Sequence, residues 1–248
     1  MIKPPISISE TLESLGQKSA HLFVQSANKT LEKKETFDVA LSGGSTPKTL
    51  FRVLAEKHAQ SLPWDRVRFF WGDDRFVAPD HSESNFKMAN DLLLKPLKIR
   101  EQNIFRMKTE LNPPELVATE YEKTLHTRLP SGCFDFALMG LGEGGHTASL
   151  FPDARPEWEA ADKKGLWVCA PWIPHLKQYR ITLLPNLLNA SRLIVFLVSG
   201  AGKKEIFSQV MEGAPVPAQL IQPKSGLKTA HLLWMIDQAA AGDQSQAA

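Results

Sequence analysis

Cysteine is scarce, no long apolar run occurs, and neither sign of charge is in clear excess; each shortage removes a class of protein. Only Cys133 and Cys169 occur among 248 residues, with no partner at metal-binding spacing, so neither a disulfide framework nor a zinc site is indicated. Both are expected to be buried, reduced and structural, because a free cysteine behaves as a small hydrophobe. None of the 7 histidines forms the i, i+4 pair of a metal-binding helix. The longest unbroken apolar run, Leu193 to Val198, is far short of the roughly 20 residues a membrane helix needs, and reads as a buried strand. Met1 to Ile6 carries one lysine and two prolines but no apolar stretch like that of a secretory signal, so the expected compartment is the cytoplasm. Lys plus Arg (29) nearly balances Asp plus Glu (27), without a basic block to neutralise a row of phosphates, which disfavours nucleic-acid binding.

What is present is the material of a core. Apolar residues make up 43% and charged residues 23%, which excludes a disordered chain. No low-complexity linker or internal repeat interrupts the sequence, so one domain is expected over residues 1–248. Its core should span about 10–237, with the Ala- and Gln-rich 238–248 a frayed tail. Helical spacing of Leu12, Leu15, Leu22, Phe23 and Ala27 predicts an opening helix from Ser9 to Asn28. Phe37 to Leu41 reads as a strand, followed by a tight loop and a helix with Thr46 as its cap and Pro47 at its first position. Val67 to Trp71 and Phe134 to Met139 repeat the strand pattern, with helices expected across Ser84 to Leu94, Pro113 to Leu129 and Lys203 to Met211. Further strands are expected at Trp167 to Ala170, Arg180 to Leu183, Leu193 to Val198 and His231 to Ile236. Near-continuous apolar strands alternating with helices imply an α/β fold, a mainly parallel sheet flanked by helices on both faces. Ligands of such sheets bind at the carboxyl ends of the strands.

Those ends carry the chemistry. In Ser42-Gly43-Gly44-Ser45-Thr46-Pro47, successive backbone amides can converge on an oxyanion at a helix N-terminus. The spacing is not that of a nucleotide P-loop, because Lys48 follows a proline rather than a glycine. After the second strand come Asp73, Asp74 and Arg75: an arginine for two-pronged phosphate binding and an aspartate for the arginine or a sugar hydroxyl. After the third, glycines at 140, 142, 144 and 145 deliver His146, able to take a proton from water near neutral pH, with Thr147 expected to cap a helical turn through Ser149 and Leu150. Arg180 and Lys203, the latter after a Gly-Ala-Gly turn, add positive charge. Each of these is also compatible with an ordinary turn or surface base when taken alone.

Taken in order, the Ser42–Pro47 loop, Phe70 to Arg75 with His81 to Asn85, Gly145 to Pro152, Arg180-Ile181-Thr182, Gly200 to Lys203 and Pro217-Ala218-Gln219 resemble the 6-phosphogluconolactonases. The resemblance implies a Rossmann-type fold shared with sugar-phosphate isomerases and hydrolysis of 6-phospho-D-glucono-1,5-lactone without metal or cofactor. It also implies a single small-molecule partner, no nucleic acid or membrane, and a monomer or weak homo-oligomer. Carried over by position, Gly43, Gly44, Ser45, Thr46, Arg75 and Lys203 hold the phosphate, Asp73 and Arg180 line the sugar, Gly145 lies at the substrate, and His146 activates water. Many relatives have Asp-Gly-His where this chain has Gly144-Gly145-His146, and Asp-Glu-Arg where it has Asp73-Asp74-Arg75. Two alternatives remain. An aminosugar-phosphate isomerase/deaminase would need acids at the positions of Gly144 and Phe151; a non-catalytic sugar-phosphate sensor would need an attached regulatory domain.

Overall fold

The computed structural model describes residues 4–224 and 231–242. In chain order the strands are β1 (Ile6–Ser9), β2 (Phe37–Leu41), β3 (Val67–Trp71), β4 (Asp73–Arg75), β5 (Ile104–Phe105), β6 (Phe136–Met139), β7 (Val168–Cys169), β8 (Trp172–Ile173), β9 (Gln178–Leu183), β10 (Leu193–Val198) and β11 (His231–Asp237). The helices are α1 (Leu12–Leu31), α2 (Ser45–Lys57), α3 (Asn85–Ala89), α4 (Pro114–Arg128), α5 (Arg155–Lys163), α6 (Pro185–Leu188), α7 (Lys204–Met211) and α8 (Gln238–Ala241).

Seven strands form one sheet in the order β1-β11-β10-β6-β2-β3-β5, every pair parallel. β2 and β6 are buried along their whole length, as expected of strands covered on both faces. The core they build is aromatic: Phe23 of α1 meets Phe37 edge-on at 5.4 Å and Phe136 at 5.4 Å. At the other side Phe196 stacks on Trp234 at 4.0 Å. From β2 the chain steps through β3 to β5 at one edge, and from β6 through β10 to β11 toward the other. The loops after β2 and β6 therefore leave in opposite directions and open a crevice between them, where parallel sheets take their ligands.

A second, antiparallel sheet joins β4 to β9 and β9 to β7, with β8 also on β9. Gly72 links the sheets: its N–H donates to Leu41 O (2.8 Å) and its carbonyl accepts from Leu183 N (2.8 Å). The strands expected at Trp167 to Ala170 and Arg180 to Leu183 form here, in the smaller antiparallel sheet. β7 and β8 are two residues each, separated by Pro171, and a proline cannot donate to an interior ladder. Asp73–Arg75, expected where the second strand leaves the sheet, is itself a short strand. β1 lies where the opening helix was expected to begin; α1 starts instead at Leu12, behind a Thr11 capping box. Cys169 is buried but Cys133 only half-buried, and both are free. Gln238–Ala241 is a helix, not tail: Asp237 caps it, and Ala240 and Ala241 are buried. Residues 243–248 lie outside the described chain. Among the described residues no helix is long and apolar enough to cross a membrane.

Candidate active site

The loop after β2 enters α2 through Gly44, whose φ of +96° is open to glycine at little cost. Gly44 is thus the N-cap, which places Ser45, Thr46 and Pro47 at the first three helical positions instead of making Thr46 the cap. No side chain caps this end, so the orphan amides of the first turn are left for another acceptor. The Thr46 and Ser199 hydroxyls, 2.8 Å apart, tie the loop to the end of β10. Gly43 has no room for a side chain: a Cβ there would fall 1.8 Å from Asn85 Oδ1. A cleft of about 200 Å³ opens over this loop, walled by Asp73, Arg75, Asn85, the Gly140–Gly142 turn, His146 and Lys203.

β4 and β9 set Arg75 directly opposite Arg180. Arg75 donates to Glu83 O at 2.5 Å, yet the Nε of both arginines is buried without a partner among the described residues. Among the described residues the Arg180 side chain makes no hydrogen bond or ion pair, although it is only 8% exposed. Burial, and then the neighbouring Arg75, push its guanidinium pKa down. A buried and a half-buried cation on facing strand positions, each with an Nε short of an acceptor, are chemically suited to an anion. Arg75 reaches the cleft; Arg180 stands behind it. Asp73 is buried on the cleft wall and accepts from Asn85 Nδ2 (3.2 Å) and Ser149 Oγ (2.7 Å). Asp74 faces away, accepting from the amides of Arg75, Asn85 and Phe86 at 2.7–3.0 Å and from Ser84 Oγ at 3.3 Å. Burial raises its pKa to about 6.

His146 sits between the cleft and a second groove of about 590 Å³ that includes Gly144, Phe151, Asp153, His175 and Lys203. Its ring stacks on Phe151 at 3.9 Å, and Gly142 presses so close that a Cβ there would lie 1.9 Å from the imidazole Cε1. Desolvation, followed by the charges of Lys203 and Arg180, lowers the pKa of His146 to about 4, so the ring is neutral at pH 7. No hydrogen bond occupies its nitrogens among the described residues. The expected helical turn after Thr147 does not form. Thr147 instead bridges Leu150 through a turn in which Ala148 takes a φ of +46°, and the next helix, α5, starts at Arg155. Gly145 lies behind the turn, its Cβ space filled by Val216 and its carbonyl accepting from Ala218 N (3.0 Å), off the cleft wall.

Gly43, Gly44, Ser45, Thr46, Asp73, Arg75, His146 and Lys203 thus meet at one cleft, with Arg180 just behind it and Gly145 in a supporting role. Sequence reading omitted Asn85, Ser199 and the Asp153–His175 pair, whose side chains meet at 2.6 Å in the second groove. Asn85 lay within the His81 to Asn85 segment that carries the family resemblance but was given no role, and nothing pointed to the pair. Among the described residues no three His, Cys, Asp or Glu side chains are grouped to hold a metal ion.

A parallel sheet with an uncapped helix N-terminus, an arginine and a histidine gathered at its switch point has the arrangement of an α/β enzyme. Residues 10–234 match the family described as glucosamine-6-phosphate isomerases/6-phosphogluconolactonase, and the chain belongs to it. Its relatives include the 6-phosphogluconolactonase of Nostoc sp., 33% identical over 98% of this chain and 100% of that one. Another, from Synechocystis sp., is 38% identical over 86% of each. The crystal structure of 6-phosphogluconolactonase from Thermotoga maritima superimposes with a TM-score of 0.81 at 30% identity, covering 95% of this chain and 100% of that one. This chain is a hydrolase of carbohydrate metabolism of the same kind.

Proposed function

We propose that the chain, acting as one cytoplasmic domain and as a monomer or weak homo-oligomer, hydrolyses 6-phospho-D-glucono-1,5-lactone to 6-phosphogluconate with His146 as general base toward water. The observation that carries this reading is the uncharged imidazole on the wall of a cleft whose floor is an uncapped helix N-terminus. The amides of the Gly43–Thr46 loop, Arg75 and Lys203 grip the phosphate, with Arg180 adding charge from behind. Asp73 accepts a sugar hydroxyl. His146 takes a proton from water as its oxygen bonds to the lactone carbonyl carbon; when the ring C–O bond breaks, the imidazolium returns a proton to the departing oxygen. A bound phosphate offsets the charges of Lys203 and Arg180, two of the causes that hold His146 down, so an occupied site contains a stronger base than an empty one. Water is favoured over Ser149 as nucleophile because Ser149 is buried and lines neither the cleft nor the second groove.

The isomerase/deaminase alternative lacks its acids. Gly144 leaves open space, and at 151 a phenyl ring occupies the position against His146. Ammonia release from glucosamine 6-phosphate should be absent. With freshly made lactone, 6-phosphogluconate should form well above the spontaneous rate, and His146→Ala should lower turnover about 10²–10⁴-fold. Near-normal turnover in the variant, measured with 6-phosphogluconate dehydrogenase as reporter, rules out the base assignment.

A further inference from the structure

Asn85 is the first residue of α3, 3% exposed, and its amide meets two functional loops at once. Its Oδ1 fills the space where a side chain at Gly43 would be, which places it against the anion-binding loop. Its Nδ2 donates to both the carbonyl (2.9 Å) and Oδ1 (3.2 Å) of Asp73, fixing that carboxylate to its own backbone. The Asn85 backbone is in turn held by Asp74, whose Oδ1 accepts its N–H at 2.7 Å. Ser149 completes the arrangement from the far side, with Oγ on Asp73 Oδ2 at 2.7 Å and N–H on Thr182 Oγ1 at 3.1 Å.

A carboxylate has about four acceptor sites and no hydrogen to give once ionised. The two neutral donors fill one site on each oxygen and leave the others to hydroxyls entering the cleft. Neither donor is a cation, so the negative charge is not neutralised by its closest partners. Without Asn85 the carboxylate can rotate about its side-chain bond or turn toward Arg180, which stands near enough to be influenced by it.

We propose that Asn85 is a positioning residue that sets the enzyme's affinity for the sugar part of its ligand by holding Asp73 as a hydroxyl acceptor. It leaves the grip on the phosphate largely to the loop and the basic side chains. This rests on the lactonase reading of the cleft, and the test separates the two.

Binding of 6-phosphogluconate and of inorganic phosphate is measured by calorimetry for the full chain and for Asn85→Ala, Asp73→Ala and the double variant, alongside lactone kinetics. Asn85→Ala should weaken 6-phosphogluconate about 10-fold or more, the usual scale for a hydrogen bond to a charged group, while inorganic phosphate changes less than about twofold. KM should rise more than kcat falls. Because Asn85 acts through Asp73, the double variant should bind 6-phosphogluconate about as weakly as Asp73→Ala alone. Should Asn85→Ala not fold, Asn85→Leu keeps nearly the same shape, removes the donor without adding a charge, and carries the same expectations for binding and for its pairing with Asp73→Ala. Equal loss for both ligands, unchanged 6-phosphogluconate affinity, or additive losses in the double variant overturns the proposal. Wild-type protein that binds 6-phosphogluconate and shows these effects but does not open the lactone overturns the hydrolase reading instead.

Discussion

At the N-terminal end of the parallel sheet, Asp38 and Asp135 are buried and fully engaged. Lys34 Nζ lies 2.9 and 2.6 Å from the two oxygens of Asp135, Asp38 N donates to the same carboxylate at 3.0 Å, and Arg192 Nε approaches it at 3.3 Å. Arg68 Nε meets Asp38 Oδ1 at 2.5 Å, and Arg66 donates to the carbonyls of Leu31, Lys34 and Glu35. At the opposite end, Arg75 Nε, Arg180 Nε and Thr147 Oγ1 are buried with no partner, and α2 begins uncapped. Ser191 Oγ, beside Arg192, is also buried without a partner among the described residues, but the charged side chains of the first rim are paired, whereas arginine nitrogens are left wanting at the other. Because an unpaired buried charge costs more than an unpaired hydroxyl, the rim with the wanting arginines is the one arranged around something that arrives later, and the paired rim serves the fold.

That contrast can be broken from either end. Asp135→Ala should cost roughly 2–4 kcal/mol, since it strips acceptors from a lysine, an arginine and a buried amide. Denaturant melts should report the loss, with KM and kcat unchanged; a kinetic defect in a stably folded variant would remove the distinction. Arg75→Ala should behave oppositely. Binding of 6-phosphogluconate should weaken roughly 10–100-fold, measured as product inhibition, while the melting temperature of the empty protein holds or rises, because one of two adjacent cations is gone. The smallest effect concerns pH. The base must be unprotonated, so kcat/KM should fall as pH drops through the pKa of His146 near 4 in the free protein. Lys203→Met removes a cation that depresses that pKa, so the acid limb of the pH–rate profile should move upward by up to about one unit. A limb that stays in place would show that the lysine charge does not reach the imidazole.

Much of the parallel sheet was legible because its strands are written in one alphabet: FDVAL, VRFFW and LIVFLV are apolar over most of their length, and each stops at glycine or serine. The antiparallel sheet was legible only in part: strands were expected at 167–170 and 180–183, but neither β4 nor the pairing. Asp73–Arg75 has no apolar residue, and its pairing with Gln178–Leu183 depends on contacts distant in sequence. β1 was hidden because Ile6 and Ile8 flank serine in a four-residue edge strand, too short for alternation to stand out. At the site, glycine and histidine spacing located the loops that matter. It could not distinguish the glycine on which the imidazole rests, Gly142, from Gly145, which packs on Val216. Nor could it anticipate that Asp73 is steadied by an asparagine from the start of α3 and a serine from the turn after Thr147.

The facing arginines of β4 and β9 carry a consequence for how the enzyme can change. Selection for robustness alone would replace Arg180 with an uncharged residue, easing repulsion in every molecule that has no ligand. On the role proposed for Arg180, selection for turnover at low substrate keeps it, so this position is where gains in durability and gains in catalysis should trade against each other during evolution.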